Sequence, residues 1–253
     1  KIPFLRHHPH IFSQVHGGYI NMLQTGIECA SKVTTVSPNY ADELLTDLGS
    51  HGLHERLVKR KADLSGILNG CDYSQWNPAT DAYLPENYSV DNLQPKRVCK
   101  TTLQTRSGLP ENASVPLIGM VCRLTEQKGF GYILPILDDL VQHNLQIVIV
   151  GTGDPKVCMD LGEFAQQHPT QFAFINGFSS EHAHLVEAGA DFFLMPSQFE
   201  PCGLNQMYSL AYGTVPIVRA VGGLKDTVVD LDTGHGATGF VFDEPTPRAL
   251  LAC

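Results

Sequence analysis

The segment Met195-Pro196-Ser197-Gln198-Phe199-Glu200-Pro201-Cys202-Gly203-Leu204 follows an almost wholly apolar run and leads into a helical pattern. A carboxylate there stands at the carboxyl end of a strand, beside the free amides of a helix start. Glu200 can therefore bond the hydroxyls of a sugar or stabilise positive charge developing at an anomeric carbon, while amides near Gly203 to Asn205 hold a phosphate. The same position suits a plain helix cap, and the residue types alone leave the two readings level. Upstream, Arg123-Leu124-Thr125-Glu126-Gln127-Lys128-Gly129 sets a guanidinium and an ammonium five positions apart, in what reads as the loop after a strand. Arg offers a two-pronged fork to phosphate oxygens and Lys a compact charge, so the pair can neutralise a departing diphosphate without a metal. The alternative is a pair of ordinary solvated loop cations.

Other patterns are less specific. Gly151-Thr152-Gly153-Asp154-Pro155 reads as a tight turn opening a helix; it lacks the third glycine and the lysine of the dinucleotide and phosphate-loop fingerprints. Val221-Gly222-Gly223-Leu224-Lys225-Asp226-Thr227 reads as a bend permitting close backbone approach. Asp230-Leu231-Asp232 and the trio His7, His8 and His10 imitate metal motifs, but the first reads as the end of a helix beside a Gly-rich loop and the second has no flanking carboxylate. Cys29, Cys71, Cys99, Cys122, Cys158, Cys202 and Cys253 are odd in number and contain no C-x-x-C pair, which speaks against a disulfide scaffold or zinc knuckle and for a reducing, cytoplasmic setting.

The elements that must position these residues are legible from Val115 onward. Apolar runs at Pro116–Val121, Gln146–Val150, Phe172–Ile175, Ala190–Met195, Val215–Val218 and Gly239–Phe242 predict strands buried on both faces. Between them, Gly131–His143, Pro155–Gln167, Ser180–Ala188, Leu204–Tyr212 and Leu224–Asp230 carry helical patterns, with a further helix-like stretch at Thr246–Cys253. Strands alternating with helices predict an α/β, Rossmann-like doubly wound parallel sheet, whose ligands bind beyond the strands' carboxyl ends.

Residues 1–66 show one strand-helix unit, Val33–Val36 then Tyr40 to about Leu48, which is too little for a sheet of its own. Residues 67–90, rich in Asn, Asp, Pro, Tyr and Gly, read as a crossing segment, and residues 91–253 as the main domain. The ragged ends suggest a piece of a longer chain. The net charge of −9, with Lys59-Arg60-Lys61 as the densest basic cluster and best explained as a solvated helix face, speaks against nucleic acid. No apolar run is long enough for a membrane span.

Taken together, F-E-P-C-G-L at 199–204, R-L-T-E-Q-K-G at 123–129, Y-G-T-V-P-I-V-R at 212–219 and G-G-L-K-D-T-V at 222–228 resemble bacterial glycogen synthases and plant starch synthases. K-V-T-T-V-S-P-N-Y-A at 32–41 and G-I-L-N-G-C-D-Y-S-Q-W-N-P at 66–78 extend the resemblance over nearly the whole chain. It implies the GT-B fold, two Rossmann-like domains across a cleft, with residues 1–66 a remnant of the acceptor-side domain. It implies retaining transfer of glucose from ADP-glucose, releasing ADP, to the end of an α-1,4-glucan, with no metal and no cofactor. Carried over by position, Arg123 and Lys128 match the diphosphate-binding cations and Glu200 the carboxylate near the transferred glucose. Cys202, Gly203, Leu204 and Asn205 lie along the donor site, Gly177 and Phe178 near the adenine, and Asn69 at the cleft. The family's K-x-G-G-L loop and cleft histidine have no match here, so weak or no transfer by this chain alone is expected. A non-catalytic nucleotide-sugar or glucan-binding module, and a UDP-glucose-dependent transferase of the same fold, remain as alternatives.

Overall fold

The computed structural model describes residues 15–16, 19–234 and 236–253, which divide into two compact units, Lys1–Leu68 and Asn69–Cys253. His7, His8 and His10 lie outside the described residues.

In the first unit, β1 (Val15–His16) and β2 (Tyr19–Ile20) pair antiparallel, and α1 (Met22–Cys29) begins at Asn21, whose side chain accepts from the Gln24 amide. β3 (Val33–Thr35) leads through Ser37, the cap of α2 (Pro38–Glu43), towards α3 (His54–Lys59). β4 (Leu64–Gly66) then pairs parallel with β3, a strand the sequence pattern did not reveal. Arg60 departs from the solvated-face expectation: its guanidinium donates to the carbonyls of Ile27, Glu28 and Ala30 at 2.6–2.9 Å, satisfying the open C-terminal end of α1.

The second unit begins with an irregular segment and α4 (Lys96–Arg106). β5 (Leu117–Leu124) is followed by the short helices α5 (Phe130–Ile133) and α6 (Leu137–Leu140). The single helix expected over Gly131–His143 is broken because Pro135 removes an amide donor and tightens the turn between them into a 3-10 form. Then come β6 (Gln146–Gly153), α7 (Pro155–Gln167), β7 (Phe172–Asn176), α8 (Ser180–Gly189), β8 (Phe192–Met195), α9 (Asn205–Tyr212), β9 (Val215–Arg219), α10 (Gly222–Thr227), β10 (Phe240–Phe242) and α11 (Pro247–Ala252). All six expected strands are present. α10 stops earlier than its expected end at Asp230 because Val228 turns extended.

These strands form one parallel sheet in the order β10-β9-β8-β5-β6-β7. Side chains of β6 alternate between two cores, Ile147 and Ile149 to one and Val148 and Val150 to the other, so both faces are covered and the strand reads as unbroken apolar sequence. Chain order reverses between β5 and β8, and there the loops diverge to opposite faces and open a crevice at the strands' carboxyl ends. Among the described residues no helix is long and apolar enough to cross a membrane.

Candidate active site

The two segments singled out for chemistry meet at that reversal. Arg123 lies inside β5, paired in register with Thr152, rather than in the loop the sequence suggested. Lys128 ends a 3-10 turn spanning Glu126–Lys128. This loop is clasped to the one after β8: the Gln198 amide donates to the Gln127 carbonyl at 2.8 Å, and Gln127 Nε2 donates to the Phe199 carbonyl at 3.1 Å. Gly129 makes the clasp possible, since with φ +84° it sits where a Cβ would lie 2.0 Å from the Pro196 oxygen. From β9, Arg219 donates through Nε to the Ser197 carbonyl at 2.9 Å and through Nη2 to that of Gln198.

The clasp brings Lys128 Nζ to 2.5 Å from Glu200 Oε2, which also accepts from Ser197 Oγ at 3.0 Å. The Glu200 side chain is 9% exposed and that of Lys128 18%. Glu200 is thus held by a cation and a hydroxyl, and it does not cap the helix: α9 begins after Leu204, with no side chain accepting from its first amides. α7 and α8 differ, because Asp154 accepts from the Lys156 and Val157 amides and Ser179 from the His182 amide. Gly151 to Gly153, expected as a tight turn, are the last residues of β6, and Asp154 already occupies the helix start beyond them. The N-terminal end of α9 is open to an anion; that of α10 also lacks a side-chain cap, but its Gly223 amide is taken by the Glu200 carbonyl at 3.1 Å.

Burial pushes the Cys122 thiol up to about 12, with Lys128 and Arg123 opposing and Glu200 adding to the shift, which sets each of these three charges within electrostatic reach of Cys122. Cys202 is buried; burial raises its thiol, and a hydrogen bond from the Asn69 backbone partly offsets this, bringing Asn69 onto the same turn. Gly203 has φ +72° and Gly222 φ +43°; a Cβ on Gly222 would stand 1.9 Å from the Glu200 oxygen. Asp230, half of the metal-like pair, accepts from the Val241 amide at 3.1 Å, and among the described residues no group of three or more His, Cys, Asp or Glu side chains is arranged to hold a metal.

Beside this cluster lies a cavity of about 290 Å³ lined by Arg123, Thr152, Phe178, His184, Glu187 and Asn205, with Trp76 on its wall. Phe178 is 70% exposed and follows Gly177. Of the site residues read from sequence, Arg123, Asn205 and Phe178 line the cavity, whereas Glu200, Cys202, Gly203 and Leu204 lie in the loop after β8 and Lys128 reaches Glu200 from the loop after β5. Sequence reasoning missed the wall. Trp76 stacks between His184 and Tyr208 at 3.8 and 4.0 Å, and Asp81 takes hydrogen bonds from His184 Nδ1 at 2.7 Å and Tyr212 OH at 2.6 Å. The available signal was the i, i+3, i+4, i+7 stripe Ser180, Ala183, His184 and Glu187 on α8, polar at three of its four positions.

The geometry has counterparts. Residues 103–252 match the family described as glycosyl transferases group 1, and residues 3–59 match the starch synthase catalytic domain. The chain is 60% identical over 235 residues to a glycogen synthase of Aeromonas salmonicida, covering 92% of this chain and 48% of that protein. It is 54% identical over 254 residues to one from Photobacterium profundum, covering 99% and 50%. The chain therefore spans about half the length of these relatives. Its fold is similar to the catalytic domain of starch synthase IV from Arabidopsis thaliana bound to ADP and acarbose, with TM-score 0.88, 34% identity, and coverage of 94% of this chain and 50% of that one. A sucrose-phosphate synthase from Thermosynechococcus elongatus, at TM-score 0.61, 20% identity, and coverage of 96% and 54%, shares the fold.

Proposed function

This chain belongs to the group 1 glycosyl transferase family, and on that premise we propose that it carries the nucleotide-sugar half of a retaining transferase that moves glucose from ADP-glucose to the non-reducing end of an α-1,4-glucan. In this reading residues 1–66 are the remnant of the acceptor-side domain, 67–90 the crossing segment and 91–253 the donor domain. The observation that carries it is the clasped pair Lys128 and Glu200 beside Arg123 and the uncapped start of α9. Two cations and an uncapped helix start lie near a buried carboxylate, which suits a diphosphate leaving from an anomeric carbon. The likeness to glycogen synthases and to a starch synthase bound to ADP and acarbose supports the same donor and acceptor classes.

The chemistry follows from the charges. Arg123 and Lys128 neutralise the diphosphate as the glycosidic bond to it lengthens, and the α9 amides take the distal phosphate. Glu200 stabilises the positive charge that grows at the anomeric carbon. The departing phosphate oxygen accepts the proton of the attacking 4-hydroxyl on the same face, so configuration is retained without a second carboxylate to form a covalent intermediate. The Phe178 ring offers the adenine a stacking face, and Asn69 with Cys202 to Asn205 shapes the donor turn.

Calorimetric titration with ADP and with UDP tests this. ADP is expected to bind at micromolar strength, about −8 kcal/mol, with binding at least tenfold weaker in Arg123→Ala and Lys128→Ala. Equal affinity for UDP would favour a UDP-glucose enzyme, and binding of neither nucleotide would overturn the donor-site reading. Because the chain spans only half of its relatives, robust glucan elongation by it alone is not expected.

A further inference from the structure

Glu187 is a carboxyl in the last turn of α8, 1% exposed, on a wall of the donor cavity, and glucosyl transfer does not use it. Its Oε2 lies 2.6 Å from Ser209 Oγ, and the same Ser209 Oγ lies 2.8 Å from the Asn205 carbonyl one turn earlier on α9. A serine hydroxyl has one proton and here faces two oxygens at hydrogen-bond distance. Were Glu187 ionised, both would be acceptors, and one of the two short contacts would hold no proton. Both are satisfied when the carboxyl brings its own: Glu187 donates to Ser209, and Ser209 donates to the Asn205 carbonyl. Among the described residues Oε1 has no hydrogen-bond partner, so Oε2 is the oxygen that carries the proton. The electrostatics agree. Burial holds the Glu187 carboxyl well above the usual range, opposed by the bond from Ser209 and the charge of Lys96.

The relay ends at the donor site. Asn205 opens α9, lines the cavity, and its Nδ2 donates to the Val121 carbonyl at 3.0 Å, two residues before Arg123 on β5. We propose that Glu187 is a positioning residue: a neutral acid that, through Ser209, fixes Asn205 and the first turn of α9 against the donor cavity. This rests on the ADP-glucose reading of that cavity. Ionising Glu187 has two consequences. The carboxylate draws the Ser209 proton away from Asn205, and it sets an anion on the wall of a site that receives a diphosphate. The titratable groups that interact with it are Lys96 on α4, Tyr208 and Tyr212 on α9 and Tyr88 from residues 69–90, while Cys122 on β5 and His184 on its own helix line the same cavity.

The test is ADP affinity from pH 6 to 9.5 for the unmodified chain, Glu187→Gln, Glu187→Met and Ser209→Ala, with infrared spectra of the first two. Glutamine keeps a donor facing Ser209 but cannot ionise, so Glu187→Gln should match the unmodified chain within about twofold while the Glu187 carboxyl is protonated, and bind about fivefold more tightly at any pH where the infrared spectrum shows that carboxyl ionised. Referring each titration to Glu187→Gln removes the titration of ADP itself. Glu187→Met and Ser209→Ala should both bind ADP five- to tenfold more weakly at pH 6. The unmodified chain should show a protonated-carboxyl carbonyl band at neutral pH that Glu187→Gln lacks. Absence of that band at neutral pH, parallel affinities for the unmodified chain and Glu187→Gln at a pH where the band is lost, or Glu187→Met binding as tightly as Glu187→Gln overturns the inference. If the unmodified chain binds no ADP, the donor reading fails instead, and the infrared band alone then decides whether Glu187 is held neutral.

Discussion

Replacing Lys128 by Met keeps most of the side chain's apolar stem and removes its charge, leaving Glu200 with Ser197 Oγ at 3.0 Å as its side-chain partner. At the 2.5 Å separation of the pair, the gross attraction is about 7 kcal/mol for an effective dielectric near 20. Most of this is offset by taking both ions out of water, so the intact pair adds little net stability. Breaking it is a different matter, because a carboxylate 9% exposed cannot recover its hydration. We expect Lys128→Met to lose about 3 kcal/mol, at the lower end for buried pairs because the Lys128 side chain keeps 18% of its exposure. Glu200→Gln should cost less, about 1 kcal/mol, since Lys128 can turn towards solvent and glutamine still accepts from Ser197. The double variant should recover part of the loss, giving a coupling of about 1.5–3 kcal/mol. Urea unfolding followed by circular dichroism measures all four, and in thermal scans Lys128→Met should fall by roughly 6–12 °C for a chain of this size. A Lys128→Met variant within about 0.5 kcal/mol of the unmodified chain, or single effects that simply add, would refute the argument that this pair is a buried unit.

Gly222→Ala should cost about 3 kcal/mol or more in urea unfolding, because its φ is +43° and the new methyl would meet the Glu200 carbonyl at 1.9 Å. Gly213→Ala is the control: its φ is +67° with open space around the new Cβ, so a loss of about 1 kcal/mol is expected. The pH dependence of stability should carry the mark of Lys96, whose ammonium burial lowers to about 8 although Lys96 donates to the Ala188 carbonyl at 2.8 Å and Thr214 Oγ1 at 2.7 Å. A depressed lysine binds fewer protons folded than unfolded between about 8 and its ordinary 10.5, so stability from this group rises with pH across that window. The unfolding free energy of the unmodified chain relative to Lys96→Met should climb by about 2 kcal/mol from pH 7.5 to 10; a flat difference would show that Lys96 stays charged when buried.

Much of the second unit was legible in the sequence, for a physical reason. A strand buried on both faces must be apolar throughout, so Gln146–Val150 and Ala190–Met195 announce themselves, and glycines and prolines mark where the chain turns. The motifs around Arg123 and Glu200 were likewise readable, since residue type and spacing state which charges stand near a strand's end. Position within the element was not: Arg123 and Gly151 to Gly153 proved to be strand, because ladder pairing with a neighbour extends β5 and β6 beyond their apolar runs. The short strand β4 and the capping role of Arg60 were also hidden, the first because three residues carry no periodicity and the second because its acceptors lie about 30 positions away. Only the tertiary structure could decide that Lys128 pairs with Glu200 across 72 positions, that Trp76 stands between His184 and Tyr208, and that Glu187 and Asn205 share one serine hydroxyl. Such contacts depend on which loops the strand order brings side by side. That order, reversing between β5 and β8, is set by the packing of whole elements and has no signature in any local stretch of the chain.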